Sequence, residues 1–243
     1  MMILVFGTLL AIFSATISGV VGMAGGVTLL SFMTLFLPLS IVIPIHGVVQ
    51  LVSNSSRSWF LKDHIDWQIF KYFAVGIPFG TVLSWLALKN IPFGNIPLIV
   101  IVALIFYTVF KPKRLPGLKI SKKQFFFVGA VSGFLGLLIG ATGPFIAPFF
   151  LRDDIEKESI VATKASVQLL VHAFKIPAFL ALGFDYIAHI DLLILMSVGA
   201  VIGTKLGVTL LGKVNKKLFT TLYKGALILA ALRIIYKIIA SST

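Results

Sequence analysis

Apolar stretches near residues 2–18, 27–37, 41–60, 68–88, 93–110, 123–139, 144–151, 158–182, 190–211 and 217–240 follow one another with little between them except Gly, Pro or a few charges. A helix crosses the hydrocarbon core of a bilayer with roughly 20 such residues. So many of these stretches cannot share one water-facing core. Of the 243 residues, 58% are hydrophobic and 12% charged, which leaves too few charges to cover a soluble surface. The reading is an all-α polytopic membrane protein with about eight hydrophobic helices and the lipid bilayer as its solvent. The stretches near 27–37 and 144–151 are too short to cross alone, and are expected to be re-entrant segments or halves of a broken crossing. The N-terminal "MMILVFGTLLAIFSATISG" has no basic region ahead of its apolar run and reads as a retained membrane segment.

A net charge of +13 raises nucleic acid as a partner. The basic residues lie mostly between apolar segments, however, and retention against an anionic cytoplasmic leaflet accounts for them without nucleic acid. The chain has no cysteine, so disulfides, thiolate metal sites and thiol catalysis are excluded. Neither a P-loop nor a Ser-His-Asp arrangement is evident, and no catalytic residue, cofactor or metal site is expected. Asp63, His64 and Asp66, and their echo Asp185, His189 and Asp191, lie at segment ends and read as helix caps before metal ligands.

The chain also repeats itself. "SGVVG" at 18–22 is answered by "SGFLG" at 132–136, "GGVTLLSF" at 25–32 by "TGPFIAPF" at 142–149, and "QLVSNSSR" at 50–57 by "QLLVHAFK" at 168–175. "HID" recurs at 64–66 and 189–191, and "GIPFGT" at 76–81 returns as "GAVIGT" at 199–204. The order of these matches, more than any one of them, predicts an internal duplication of the kind found in secondary transporters. The expected organisation is a first transmembrane repeat over 1–110, a basic cytoplasmic linker over 111–122 and a second repeat over 123–243. If each short stretch folds back, three crossings remain per half and the halves are inverted. Arg57, Lys62, Lys71, the linker lysines and arginine, Arg152, Lys157 and Lys213, Lys216 and Lys217 then share the cytoplasmic side, opposite Lys89 and Lys237. Four parallel crossings per half would spread these charges far more evenly, so the positive-inside tendency favours inversion.

Two features carry chemistry. Breaks occur in both halves, at "GMAGG" (22–26) and "GATGP" (140–144). Irregular backbone at membrane depth is tolerated only where protein or a watery cavity satisfies it. Helices beginning near 27 and 144 would turn free N–H groups and positive dipole ends toward the breaks, making an anion site of Gly25, Gly26, Gly140, Thr142, Gly143 and Pro144; close helix packing is the plainer alternative. The second feature is a polar stripe at helical spacing: His46, Gln50, Asn54 and Arg57 in half one, Lys164, Gln168, His172 and Lys175 in half two. A charged residue at the bilayer centre costs roughly 2.5 to 3.5 kcal/mol even on the lenient insertion scale, so the stripe is expected to face the bundle interior. It is rich in donors and has no carboxylate, which suits a small anionic substrate better than a metal cation. Arg57 and Lys175 either face that anion or lie near helix ends and snorkel. "GIPFGT" and "GAVIGT" read as packing surfaces.

Taken together, the Ser-Gly-x-x-Gly openings at Ser18 and Ser132, the glycine breaks Gly22, Gly25, Gly26 and Gly136, Gly140, Gly143 leading to Pro144 and Pro148, the third helices with Gln50 and Gln168, and the basic linker resemble the sulfite exporter TauE/SafE family of membrane permeases. The resemblance spans nearly the whole chain. It implies some eight hydrophobic helices and transport of sulfite, sulfonates or related anions driven by an ion gradient, and so a secondary transporter in the plasma membrane of a prokaryote. An anion channel and a membrane assembly factor are the competing functions. Proton or cation coupling is expected, with Asp63, Asp66 and the stripe histidines as proton candidates; the direction of transport and the oligomeric state stay open.

Overall fold

The computed structural model describes residues 2–21, 25–91, 94–110, 120–150, 157–210 and parts of 224–240. The start of the first break (22–24), most of the basic linker, most of "RDDIEKE" and the segment with Lys213, Lys216 and Lys217 lie outside the described residues. Among those described there are helices and no strands: α1 (Met2–Val21), α2 (Gly25–Met33), α3 (Leu39–Phe60), α4 (Trp67–Asn90), α5 (Ile96–Phe110), α6 (Phe125–Ile139), α7 (Gly143–Phe150), α8 (Lys157–Ala181) and α9 (Ile190–Leu210), with further helix within 224–240. Five of these, α1, α3, α4, α9 and α6 with the 3-10 turn before it, are long and apolar enough to cross a membrane. At 25 residues α8 is long enough, but its polar stripe keeps it out of that group.

The two short helices fold back. Phe36, just past α2, packs edge-on against Phe6 near the start of α1 at 5.1 Å, so α2 returns along α1 toward the side where the chain began. In the second half Phe150 at the end of α7 meets Phe125 at the start of α6 at 5.3 Å. Nine and eight residues rise only about 12–14 Å, which carries neither helix across. The long helices then assemble around α3 and α8, which run antiparallel through the centre: His46 faces His172, and Ser58 bonds Ser166 at 3.1 Å. On one flank α1 lies parallel to α9, on the other α4 lies parallel to α6; α9 also packs on α3, and α4 on α8. Exchanging α1, α3 and α4 for α6, α8 and α9 leaves this set of pairings unchanged.

Small residues allow the flanking pairs to close. A β-carbon on Gly76 or Gly80 of α4 would run into the carbonyls of Phe126 and Ala130, and one on Gly203 of α9 into the carbonyl of Ile12. "GIPFGT" and "GAVIGT" are therefore packing surfaces, as their composition implied. The bundle is apolar outside and polar inside. Val75, Phe79, Val82, Leu83 and Leu86 of α4 and Ile194, Val198, Val201 and Ile202 of α9 are exposed, whereas His46, Gln50, Asn54, Arg57, Lys164, His172 and Lys175 are buried. That distribution belongs to a protein dissolved in lipid.

The capping reading of the acidic segment ends holds for Asp66 and Asp185. Asp66 Oδ1 accepts from the amides of Gln68 (3.0 Å) and Ile69 (3.1 Å), and Asp185 Oδ1 from those of Ile187 (2.8 Å) and Ala188 (3.2 Å). Asp66 also pairs with Lys122 at 2.7 Å, and its own amide donates to Thr163 Oγ1, so α4, α6 and α8 meet at one membrane face. Partial burial alone would push the Asp66 carboxyl up. The hydrogen bond from Lys122, the two amides and the Lys122 charge outweigh it and hold the carboxyl below its ordinary value. A depressed carboxyl stabilises the fold above its unfolded value of about 3.9, and that contribution is lost as pH falls through the folded value. Asp66→Ala is expected to cost about 0.5–2 kcal/mol near neutrality, and less as the medium is acidified below the carboxyl's range. Asp66→Asn keeps the cap and loses only the exposed pair, worth about 0–1 kcal/mol. Thermal unfolding of the purified variants across pH checks both.

Candidate functional site

A cavity lies where the two fold-back hairpins meet α3 and α8. Its lining comprises Ser18, Gly26, Val27, His46, Gln50, Asn54, Ala141, Thr142, Gly143, Lys164, Gln168 and His172, drawn from both halves. The space is small, about 20 Å³. Most of its polar lining side chains are buried, among them Gln50, Asn54, Thr142, Lys164 and His172.

Each half contributes a helix start and a glutamine that faces it. A β-carbon on Gly26, in the first turn of α2, would stand 3.6 Å from Gln50 Oε1, and one on Gly143, the first residue of α7, 3.4 Å from Gln168 Nε2. Glycine thus leaves the amide of each long helix in reach of the backbone of its own half's short one. The carbonyl of Thr142 accepts the first helical bond of α7, from Ile146 at 3.1 Å, while its hydroxyl is buried at the cavity wall with no hydrogen-bond partner. At that place the hydroxyl can donate to or accept from a group in the cavity. Asn54 is oriented from both ends, its amide donating to Gln50 O (2.9 Å) and its Oδ1 facing Arg57 Nη1 at 3.5 Å.

Of the residues expected at the site, Gly26, Gln50, Asn54, Thr142, Gly143, Gln168 and His172 are brought together on the cavity wall. Gly25, Arg57, Gly140, Pro144 and Lys175 are not on it. Gly25 abuts α1, where a β-carbon would meet the Ser14 carbonyl and the Ser18 side chain. Arg57 reaches back along α3 toward Asn54 and Ser53, and Pro144 is buried in the first turn of α7. Gly140 ends α6 with φ 85°, a backbone state that favours glycine, and its carbonyl accepts from Lys175 Nζ. Gly140, and not Gly143, is the glycine of this break that uses positive φ. Arg57 and Lys175 are 3% and 1% exposed, so neither snorkels. His46 and Lys164 belong to the stripe and reach the wall with it. Ser18 was legible only as part of a repeated opening motif, because nothing in its local spacing distinguishes it from its counterpart Ser132, which is buried off the cavity.

Among the described residues, the groups that reach this chamber are helix N–H ends, amides, hydroxyls, imidazoles and ammonium, and no carboxylate lines it. Folded-back segments around a buried polar chamber, set among helices long and apolar enough to cross a membrane, are a construction found in membrane transporters. The sulfite exporter TauE/SafE family matches residues 7–234, nearly the whole chain, and the protein belongs to that family. It is an integral membrane protein of a family of permeases for sulfur-containing anions, which are transporters and not enzymes. No curated protein and no solved structure matches the chain.

Lys175 holds a helix end, which separates its role from that of a ligand. Removing its ammonium in Lys175→Met leaves the Gly140 carbonyl buried and unpaired, at an expected cost of about 1–3 kcal/mol to the empty protein. Thermal unfolding without any anion checks this, since a residue serving the substrate alone would leave the empty protein unchanged.

Proposed function

We propose that the protein is a secondary transporter that carries a compact sulfur oxyanion, such as sulfite, by alternating access around the central cavity. The observation that carries this reading is the donor set of that cavity: two helix starts, two glutamines and a basic wall, without a carboxylate among the described residues, converge on one small space. Helix starts favour anions through free N–H groups and the dipole. The small volume favours sulfite over longer organosulfonates, and the burial of the lining favours a closed chamber between gates over a continuous pore.

We further infer that residues 1–110 and 123–243 are inverted repeats. The fold-back of α2 and α7, the antiparallel run of α3 and α8, and the matching flank pairs support this. With the basic turn at Lys62 and the linker on the cytoplasmic side, the turn before α9 lies outside, in the plasma membrane of a prokaryote. Single cysteines in this cysteine-free chain are expected to label from the cytoplasm at residue 64 and from outside at residue 188. Labelling of 188 from the cytoplasm would overturn the inversion.

Anion binding by the purified protein tests the site itself. Across sulfite, sulfate, thiosulfate, taurine and sulfoacetate, sulfite is expected to bind more tightly than the two organosulfonates. Thr142→Val removes one donor at nearly constant volume and should weaken binding by about 0.5–1.5 kcal/mol, up to about tenfold. Gly143→Val projects into the space before Gln168 and should abolish binding while leaving thermal unfolding of the empty protein little changed. Normal transport by Gly143→Val in liposomes would defeat the proposal.

A further inference from the structure

The reading of the cavity as an anion site leaves its two histidines without a task. His46 on α3 and His172 on α8 meet across the interface between the halves, ring centroids 5.6 Å apart and planes at 69°. Both line the cavity and both are almost wholly buried, at 0% and 2% exposure. His46 Nε2 lies 2.9 Å from the Gly26 carbonyl. A carbonyl only accepts, so Nε2 carries the proton of the neutral ring and Nδ1 presents its lone pair. That Nδ1 is buried and has no hydrogen-bond partner among the described residues; the same holds for Nδ1 of His172.

We infer that His46 and His172 together hold one proton, and that an anion entering the cavity binds along with it. This rests on the anion-site reading above.

The surroundings decide the sign. From α8, Lys175 approaches the residue next to His46, its side chain lying against Gly47, and Lys164 lines the same cavity. Arg57 lies on the same face of α3, about three turns on. Lys157 and Glu158 open α8 about four turns before His172. Helices α1, α2, α6 and α7 bring no titratable side chain, Lys71, Lys89, Asp191 and Lys205 on α4 and α9 are exposed, and Tyr72 packs in an apolar cluster. Without an anion the nearby cations oppose an imidazolium, and among the described residues no carboxylate lines the cavity to offset them. An anion between these groups supplies the missing negative charge and favours the proton. A second proton is opposed by the first, because two imidazolium rings in contact repel inside a low dielectric. Linkage is reciprocal: an anion that favours the proton is itself bound more tightly when the proton is present.

The test is sulfite binding to the purified full-length protein, across one pH unit on either side of neutrality, for the wild type, His46→Gln and His172→Gln. Sulfite's own titration is common to all three and cancels in the comparison. Relative to the variants, the wild type is expected to gain up to about tenfold in affinity for each unit the pH falls, the limit for one proton taken up per anion. Variants that keep the wild-type dependence overturn the inference. The pair is read separately by nitrogen NMR of labelled histidine in the wild type. A single titration step shared by His46 and His172, moved to higher pH by sulfite, supports it; two independent steps, or rings that stay neutral at every pH in saturating sulfite, overturn it. If the wild type binds no sulfite, the anion reading fails for sulfite, and the shared or independent step in the empty protein still decides whether the two rings form one proton site.

Discussion

Backbone interrupted at membrane depth needs partners, and the organisation of this protein depends on who supplies them. Two carbonyls beside the breaks are taken by side chains of the long central helices: Gly26 O by His46 Nε2, and Gly140 O by Lys175 Nζ. Leaving either group buried and unpaired costs on the order of 1–3 kcal/mol. The two bonds therefore tie each fold-back hairpin to the interior, one through α3 and one through α8. Because Lys175 comes from the same half as Gly140, and His46 from the same half as Gly26, each half secures the carbonyl at its own break with its own side chain.

Close packing of the flanks makes that meeting possible. Where Gly76 and Gly80 touch α6, and Gly199, Gly203 and Gly207 touch α1, backbone lies directly on backbone. Van der Waals contact of this kind replaces the hydrophobic drive that lipid does not offer between helices. Hydroxyls add cross-links: Thr16 of α1 donates to Gly203 O of α9 at 3.2 Å, and Ser53 of α3 meets Thr204 of α9 at 3.1 Å. With both flanks closed, α3 and α8 are pressed together along their polar stripes. The cavity is the space left where glycine at each helix start fails to fill it.

The site's division of labour follows from reach. Lys175 and Arg57 carry the charge most readily associated with an anion, yet neither touches the cavity; Lys175 closes α6 and Arg57 steadies Asn54. The cavity wall itself is made of the glutamine amides, the Thr142 hydroxyl, the helix starts, Lys164 and the two histidines. The long cations act on the same space through the field, which falls slowly where no water screens it.

Membrane class, the two breaks, the repeated blocks and the two polar stripes were all legible in the chain, because each depends on local composition or on spacing of 3.6 residues per turn. An apolar run of twenty residues reads as a crossing wherever it packs, and a polar stripe on such a run must turn inward. Three things depended on the tertiary structure. Whether α2 and α7 continue a crossing or fold back is set by Phe6 against Phe36 and Phe125 against Phe150, contacts between residues far apart in the chain. Which glycine bends the second break was decided by where α6 ends, at Gly140. The meeting of His46 with His172 is invisible in sequence, because it comes from the crossing of two helices that begin more than a hundred residues apart. Helical periodicity states which face a side chain occupies, but only packing states what stands opposite it.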